Sequence, residues 1–175
     1  MTESRVGVVV YEREQRPDSL LGEAVHQLNA AGVRVAGLLQ DSHPGTASCC
    51  ATLFLEDIGT GRRVQVFENR GAGTRGCRLD PSGLAEAASW LREAIETRPD
   101  VLFINRFGRQ ESEGRGLLNE IGAAVLADVP IVIALNKALF PEWLAFSGNG
   151  GAPLGLHTEQ IVTWCLEQAS VPFRS

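Results

Sequence analysis

The chain opens with a strand, a helix and a second strand within its first forty residues, and that arrangement removes most folds from consideration. Val6-Gly-Val-Val-Val10 is a short β-branched run of the kind that lies buried in a sheet. Pro17-Asp-Ser-Leu-Leu opens a helix to about Ala31, with Leu20, Leu21, Ala24, Val25 and Leu28 recurring along one face. Pro17 suits a first helical turn and Gly32 a C-terminal cap. Val33 to Leu39 is the next strand. Two strands joined through a helix run parallel, because a tight hairpin leaves no room for the crossover.

The rest of the chain continues in the same style with one interruption. Asp41 to Ser48 is a polar, turn-rich loop, and Ala51–Glu56 and Arg63–Glu68 are strands of a hairpin turning at Asp57-Ile-Gly-Thr-Gly61. After a glycine- and arginine-rich loop from Asn69 to Asp80, a helix runs to about Arg98, with Leu84, Ala87, Ala88, Leu91, Ala94 and Ile95 on one face. Asp80 stands where an N-cap belongs. Val101-Leu-Phe-Ile104 is wholly apolar and therefore a central strand. A polar loop, a helix from about Gly116 to Leu126 and the strand Ile131–Leu135 follow. A short helix around Pro141–Phe146, a glycine-rich loop over 148–155 and a helix over Thr158–Ala169 complete the chain. The expected fold is one α/β domain over residues 1–175: a three-layer α/β/α sandwich on a mostly parallel sheet with a β-hairpin insertion.

Composition narrows the function. With 44% apolar and 21% charged residues the chain has the make-up of an ordinary globular domain. No run approaches the ~18 apolar residues a membrane span needs, and the N-terminus lacks a signal pattern, so a cytoplasmic protein with no membrane partner is expected. A net charge of −5 argues against nucleic acid as a partner. Of 16 basic residues only Lys137 is a lysine, so any mechanism that needs one has a single candidate. Cys49, Cys50, Cys77 and Cys165 form no metal-ligand spacing, so reduced thiols and no metal or other cofactor are expected.

In an open parallel sheet, ligands bind beyond the carboxyl ends of the strands. Four segments leave such ends. Tyr11-Glu-Arg-Glu-Gln-Arg-Pro17 occupies the place of a phosphate-binding P-loop but has neither glycine nor lysine, leaving only Ser19 and a helix N-terminus for weak anion binding. Asn69–Asp80 carries three arginines and three glycines, Arg75 and Arg78 among them, which suits an oxyanion or equally a solvated surface loop. Asn105-Arg-Phe-Gly-Arg-Gln-Glu-Ser-Glu-Gly-Arg-Gly116 holds Arg106, Arg109 and Arg115 with Glu111 and Glu113. Charge this dense at a strand end marks a site, unless the ion pairs only stiffen the loop. Asn136-Lys137 begins like a guanine-reading motif, but Leu139 stands where its acid belongs.

The segment 105–116, together with Gly76-Cys-Arg-Leu-Asp80, resembles a bacterial domain family of unknown function often associated with molybdate-uptake genes. The resemblance extends over nearly the whole chain, including Gly32–Gly37 and Trp143–Phe146. More distantly, the layout is similar to small P-loop nucleoside triphosphatases, which carry Asp-Glu-Ile-Gly-x-x-Glu after the equivalent strand. Against that motif Asn105 replaces Asp, Arg106 replaces the first Glu, and Glu111 matches the last. Pro17 falls where the P-loop lysine would be, with Asp18 and Ser19 at the threonine positions. The resemblance thus implies a P-loop-like fold whose lysine and Mg²⁺-binding acid are gone.

The function expected from this reading is non-hydrolytic binding of an oxyanion, molybdate or tungstate on the family association, or of a phosphate-bearing small molecule. Arg75, Arg78, Arg106 and Arg109 would be donors, Glu111 would orient one of them, and Asn105 and Arg115 would complete the pocket. Two other classes stay open: a divergent nucleoside triphosphatase or phosphotransferase using Glu111 or Glu113 as base, and an interaction module that binds a partner protein or itself as a homo-oligomer.

Overall fold

A computed structural model of the chain describes residues 4–43, 52–69 and 77–171. Strand β1 (Val6–Tyr11) leads through helix α1 (Asp18–Ala30) to β2 (Val35–His43), followed by β3 (Thr52–Asp57), β4 (Arg63–Asn69) and β5 (Cys77–Leu79). Helix α2 (Pro81–Glu96), β6 (Val101–Phe107), the single turn α3 (Arg109–Ser112), α4 (Leu118–Leu126) and β7 (Ile131–Asn136) come next. A 3₁₀ turn (Lys137–Leu139), α5 (Phe140–Ser147), β8 (Ala152–Leu154) and α6 (Thr158–Ala169) close the chain.

The eight strands form one sheet in the order β5-β4-β3-β2-β6-β7-β1-β8. From β2 to β8 every neighbouring pair is parallel. From β2 to β5 every pair is antiparallel. The hairpin is therefore an extension of one sheet edge, with β2 serving both halves. β6 and β7 are buried almost throughout because helices cover both faces. On one face α2, Leu117, α4 and Trp143 of α5 pack against Leu38, Leu55, Val66, Leu102, Ile104, Ile133 and Leu135. On the other, Leu21, Ala24, Val25 and Leu28 of α1 and Ile161, Trp164 and Cys165 of α6 cover Val9, Tyr11, Phe103, Val132 and Ala134. Each Val, Leu, Ile or Phe among them contributes about 1.5–3 kcal/mol when fully buried, so these two layers define the fold. The three-layer α/β/α sandwich expected from the sequence is the architecture found.

Local signals set the helices in place. Asp80 caps α2, its Oδ1 accepting from the amides of Ser82 and Gly83 at 3.0 and 3.1 Å, ahead of the favoured Pro81. α2 then lies directly on β4: a Cβ on Gly83 would stand 2.1 Å from the Gln65 carbonyl oxygen. Only glycine permits that approach.

Five boundaries differ from the expectation. β2 continues past Leu39 through the polar Gln40-Asp41-Ser42, because β3 supplies the antiparallel partner. β6 continues past Ile104 to Phe107, held by β7 across a bulge at Asn105. β5 lies within the expected loop 69–80, β8 within 148–155, and α3 within 105–116. These pieces are three or four residues long and carry no readable periodicity.

Candidate functional site

The bulge in β6 organises the carboxyl edge of the sheet. Ile104 pairs with Ile133 and Arg106 with Ala134, so Asn105 is the extra residue. Such a bulge re-aims the side chains around it. Asn105 and Arg106 leave the strand toward opposite faces.

Arg106 turns to the face covered by α1. Its Nη2 donates to both carboxylate oxygens of Asp18, at 2.7 and 2.9 Å, and its Nη1 donates to the Tyr11 hydroxyl at 3.0 Å. Asp18 is in the first turn of α1, where the helix dipole and free amides favour a negative group. The chain thus places its own carboxylate at the end of α1 and neutralises it with an arginine. The preceding segment closes on itself: Gln15 N–H donates to the Glu12 carbonyl at 2.9 Å and Glu12 N–H to Gln15 Oε1 at 2.7 Å. Lys137 stands 3.6 Å from Glu12 with both side chains well exposed, a contact of little energetic weight. Asn136 caps the 3₁₀ turn, accepting from the Ala138 amide at 3.0 Å.

Asn105 turns to the other face. It is 7% exposed, its Nδ2 donates to Gln40 Oε1 at 2.7 Å, and its Oδ1 has no hydrogen-bond partner among the described residues. Both amides border a cavity of about 350 Å³ between the sheet and the helical layer, whose lining also includes Leu53, Leu55, Val66, Leu84 and Leu117. Arg109 and Gln110 border it as well. A volume of this size falls in the ~300–1,000 Å³ range of small-molecule sites.

Glu111 holds the rim of this cavity. Its Oε2 accepts from the Gly108 amide and its Oε1 from the Leu117 amide, each at 3.0 Å. A carboxylate bonded to two amides nine positions apart is a staple across the loop. Gly116 makes room for it: φ is +67°, and a Cβ there would lie 2.3 Å from Glu111 Oε1. Glu113 pairs with Arg115 and lies 4.0 Å from Arg109.

The residues singled out in the sequence therefore separate. Asn105, Arg106, Arg109 and Glu111 meet around the cavity, but Arg106 directs its guanidinium to Asp18, and Glu111 binds backbone amides in place of an arginine. Arg109 is 87% exposed and Arg115 faces Glu113 outside the cavity lining. Arg78 belongs to β5, and Arg75 lies outside the described residues. Tyr11, Asp18 and Gln40 are partners that sequence reasoning missed. Trp90, Trp143 and Trp164 are all buried, in keeping with core packing. No described helix is long and apolar enough to cross a membrane, and no group of three or more potential metal-ligating side chains occurs among the described residues.

The fold is similar to that of a nucleoside triphosphatase. The chain is similar to the solution structure of a human cancer-related nucleoside triphosphatase with a TM-score of 0.67, at 15% identity, over 97% of this chain and 100% of that one. It belongs to the family described as protein of unknown function (DUF2478), whose model matches residues 6–164. It is also 31% identical over 167 residues to the molybdenum import ATP-binding protein ModC 2 of Bradyrhizobium diazoefficiens. That match covers 95% of this chain and 19% of the relative, so the chain spans only a small part of the relative's length. The relative's name fits the molybdate association carried by the family resemblance.

Proposed function

We propose that this protein binds a small anionic ligand, foremost a phosphate-bearing molecule, and does not hydrolyse nucleotides. The Arg106–Asp18 pair carries the reading. In a P-loop fold the end of α1 is where phosphate is gripped, and here a carboxylate and an arginine of the chain itself occupy it. Pro17 and Asn105, at the positions of the lysine and the acid, support the same conclusion. The ligand then belongs in the neighbouring cavity beside Asn105, with Arg109 as the rim donor to its anionic group and Arg75 and Arg78 as further donors. Glu111 and Arg115 serve by holding the loop, not by touching the ligand.

A narrower reading, molybdate or tungstate in molybdenum metabolism, is favoured by the name of the ModC 2 relative. The cavity chemistry weighs against a bare oxyanion, since aliphatic walls give a small dianion nothing to replace its water.

The test is a thermal-shift screen against molybdate, tungstate, phosphate and nucleotides, each with and without Mg²⁺, alongside a phosphate-release assay. A ligand at 100 times its Kd adds about 2.7 kcal/mol, a readily visible shift. Metal-independent stabilisation that weakens in Arg109→Ala, without phosphate release, is the expected result. Mg²⁺-dependent phosphate release would overturn it.

A further inference from the structure

The cavity beside Asn105 is more specific than an anion site. Its walls are aliphatic on both sides: Leu53, Leu55 and Val66 from the sheet, Leu84 and Leu117 from the helical layer. The space between these facing walls, the leucine slot, offers a flat ring two apolar faces. On its lining, Asn105 Oδ1, on a residue only 7% exposed, lacks a partner among the described residues. A buried amide oxygen left unpaired costs about 1–3 kcal/mol, a cost removed by any donor that reaches it. Two cationic side chains line the cavity: Arg106, whose guanidinium is held by Asp18, and Arg109, whose side chain is 87% exposed and therefore belongs to the mouth. Glu113 lies 4.0 Å from it, too loose to hold it fast.

From this arrangement we infer that the ligand is a planar nitrogen heterocycle carrying a phosphate, with the ring in the leucine slot donating an N–H to Asn105 Oδ1 and the phosphate outside on Arg109. The inference rests on the anion-binding reading above and adds the body of the ligand and its direction. A lactam edge supplies that N–H, and its adjacent C=O can accept the second hydrogen of Asn105 Nδ2, whose first goes to Gln40. The direction differs from that of a P-loop, because the phosphate points away from α1, whose end Asp18 already occupies. Two sources share this chemistry: purine nucleotides and pterin phosphates.

The experiment is a titration of the ¹⁵N-labelled full chain, followed through backbone amides and the side-chain amides of Asn105 and Gln40. The probes are phosphate, molybdate, guanosine, guanosine monophosphate, hydroxymethylpterin and hydroxymethylpterin phosphate. One or both ring phosphates should shift the Asn105 and Gln40 side-chain signals and bind at least about tenfold more tightly than phosphate or the matching neutral ring. Which of the two binds more tightly identifies the source. Asn105→Ala should weaken the ring phosphate by about tenfold. Arg109→Ala, at an exposed position that leaves folding intact, should reduce the ring phosphate to the affinity of the neutral ring. If phosphate or molybdate binds and no ring does, the inference fails while the anion-binding reading stands. If neutral rings bind as tightly as their phosphates and Arg109→Ala changes nothing, the anionic reading fails and the proposed direction with it. No response to any probe would overturn both.

Discussion

Arg106 on β6 grips Asp18 in the first turn of α1 through one nitrogen and two carboxylate oxygens, at 2.7 and 2.9 Å. The contact spans 88 positions of sequence and ties the end of a central strand to the helix across the sheet edge. Both side chains are about one-fifth exposed. Breaking the pair should therefore cost less than for a deeply buried one, about 1–2 kcal/mol.

Asp18→Asn tests what the pair does. The substitution keeps the size, removes the charge and leaves Arg106 facing a helix N-terminus. The melting temperature should fall by about 2–8 °C. Sulfate should then stabilise the variant more than the parent, because the freed guanidinium and the helix end together recreate an anion site. Equal sulfate responses in parent and variant would mean that Asp18 does not occupy a phosphate position.

Glu111 is a staple, and its removal should be felt in the backbone. Glu111→Ala leaves the Gly108 and Leu117 amides without acceptors and should cost about 2–4 kcal/mol. Glu111→Gln should recover only part of this, since one oxygen becomes an NH₂ that confronts an N–H donor. Hydrogen exchange is the decisive measurement: the amides of Gly108 and Leu117 should lose protection ahead of the strand core. Unchanged exchange at both would remove the structural role.

The layers were legible in the sequence because burial imposes a pattern. Val6–Val10, Val101–Ile104 and Ile131–Leu135 are apolar on both faces, as only covered parallel strands are, and α1, α2 and α6 repeat their apolar residues at helical spacing. The Asp80 cap is equally local. What escaped was set by distant partners. Asn105 and Arg106 look like loop residues until β7 is beside them, and their side chains bond Gln40 and Asp18, 65 and 88 positions away. The candidate segment 105–116 was visible as a cluster of charge, but not the bulge that sends Asn105 to one face and Arg106 to the other. Direction decides chemistry here: the same arginine would be an anion donor if aimed into the cavity and is a structural partner when aimed at α1.

Gly116 and Glu111 should behave as one unit. In the parent, Gly116→Ala meets three obstacles: a left-handed backbone at φ +67°, a Cβ placed 2.3 Å from Glu111 Oε1, and the Gln110 Cβ at 3.0 Å. Together these should cost about 2–4 kcal/mol. In the Glu111→Ala background the second obstacle is gone, and the same change should cost about 1 kcal/mol. A double-mutant cycle by urea unfolding should therefore show a coupling of about 1–3 kcal/mol. Strict additivity would show that the carboxylate does not sit against Gly116.

Cys165 should be silent in the folded protein and should make stability fall in alkali. It is fully buried between α6 and the sheet, and desolvation pushes its thiol up from the ordinary 9.0 to about 12. The thiolate is the nucleophile, so peptide mapping after iodoacetamide at neutral pH should find Cys165 unlabelled in native protein and labelled in denaturant. The sign of the pH dependence follows from linkage. Above pH 9 the unfolded thiol releases its proton while the folded one keeps it, so the unfolded state gains and stability falls as pH rises toward 12. Cys165→Ala or Cys165→Val should flatten that part of the decline relative to the parent, measured by urea unfolding between pH 8 and about 10.5. A decline of the same slope in both variants and parent would assign it to other groups and remove Cys165 from the account.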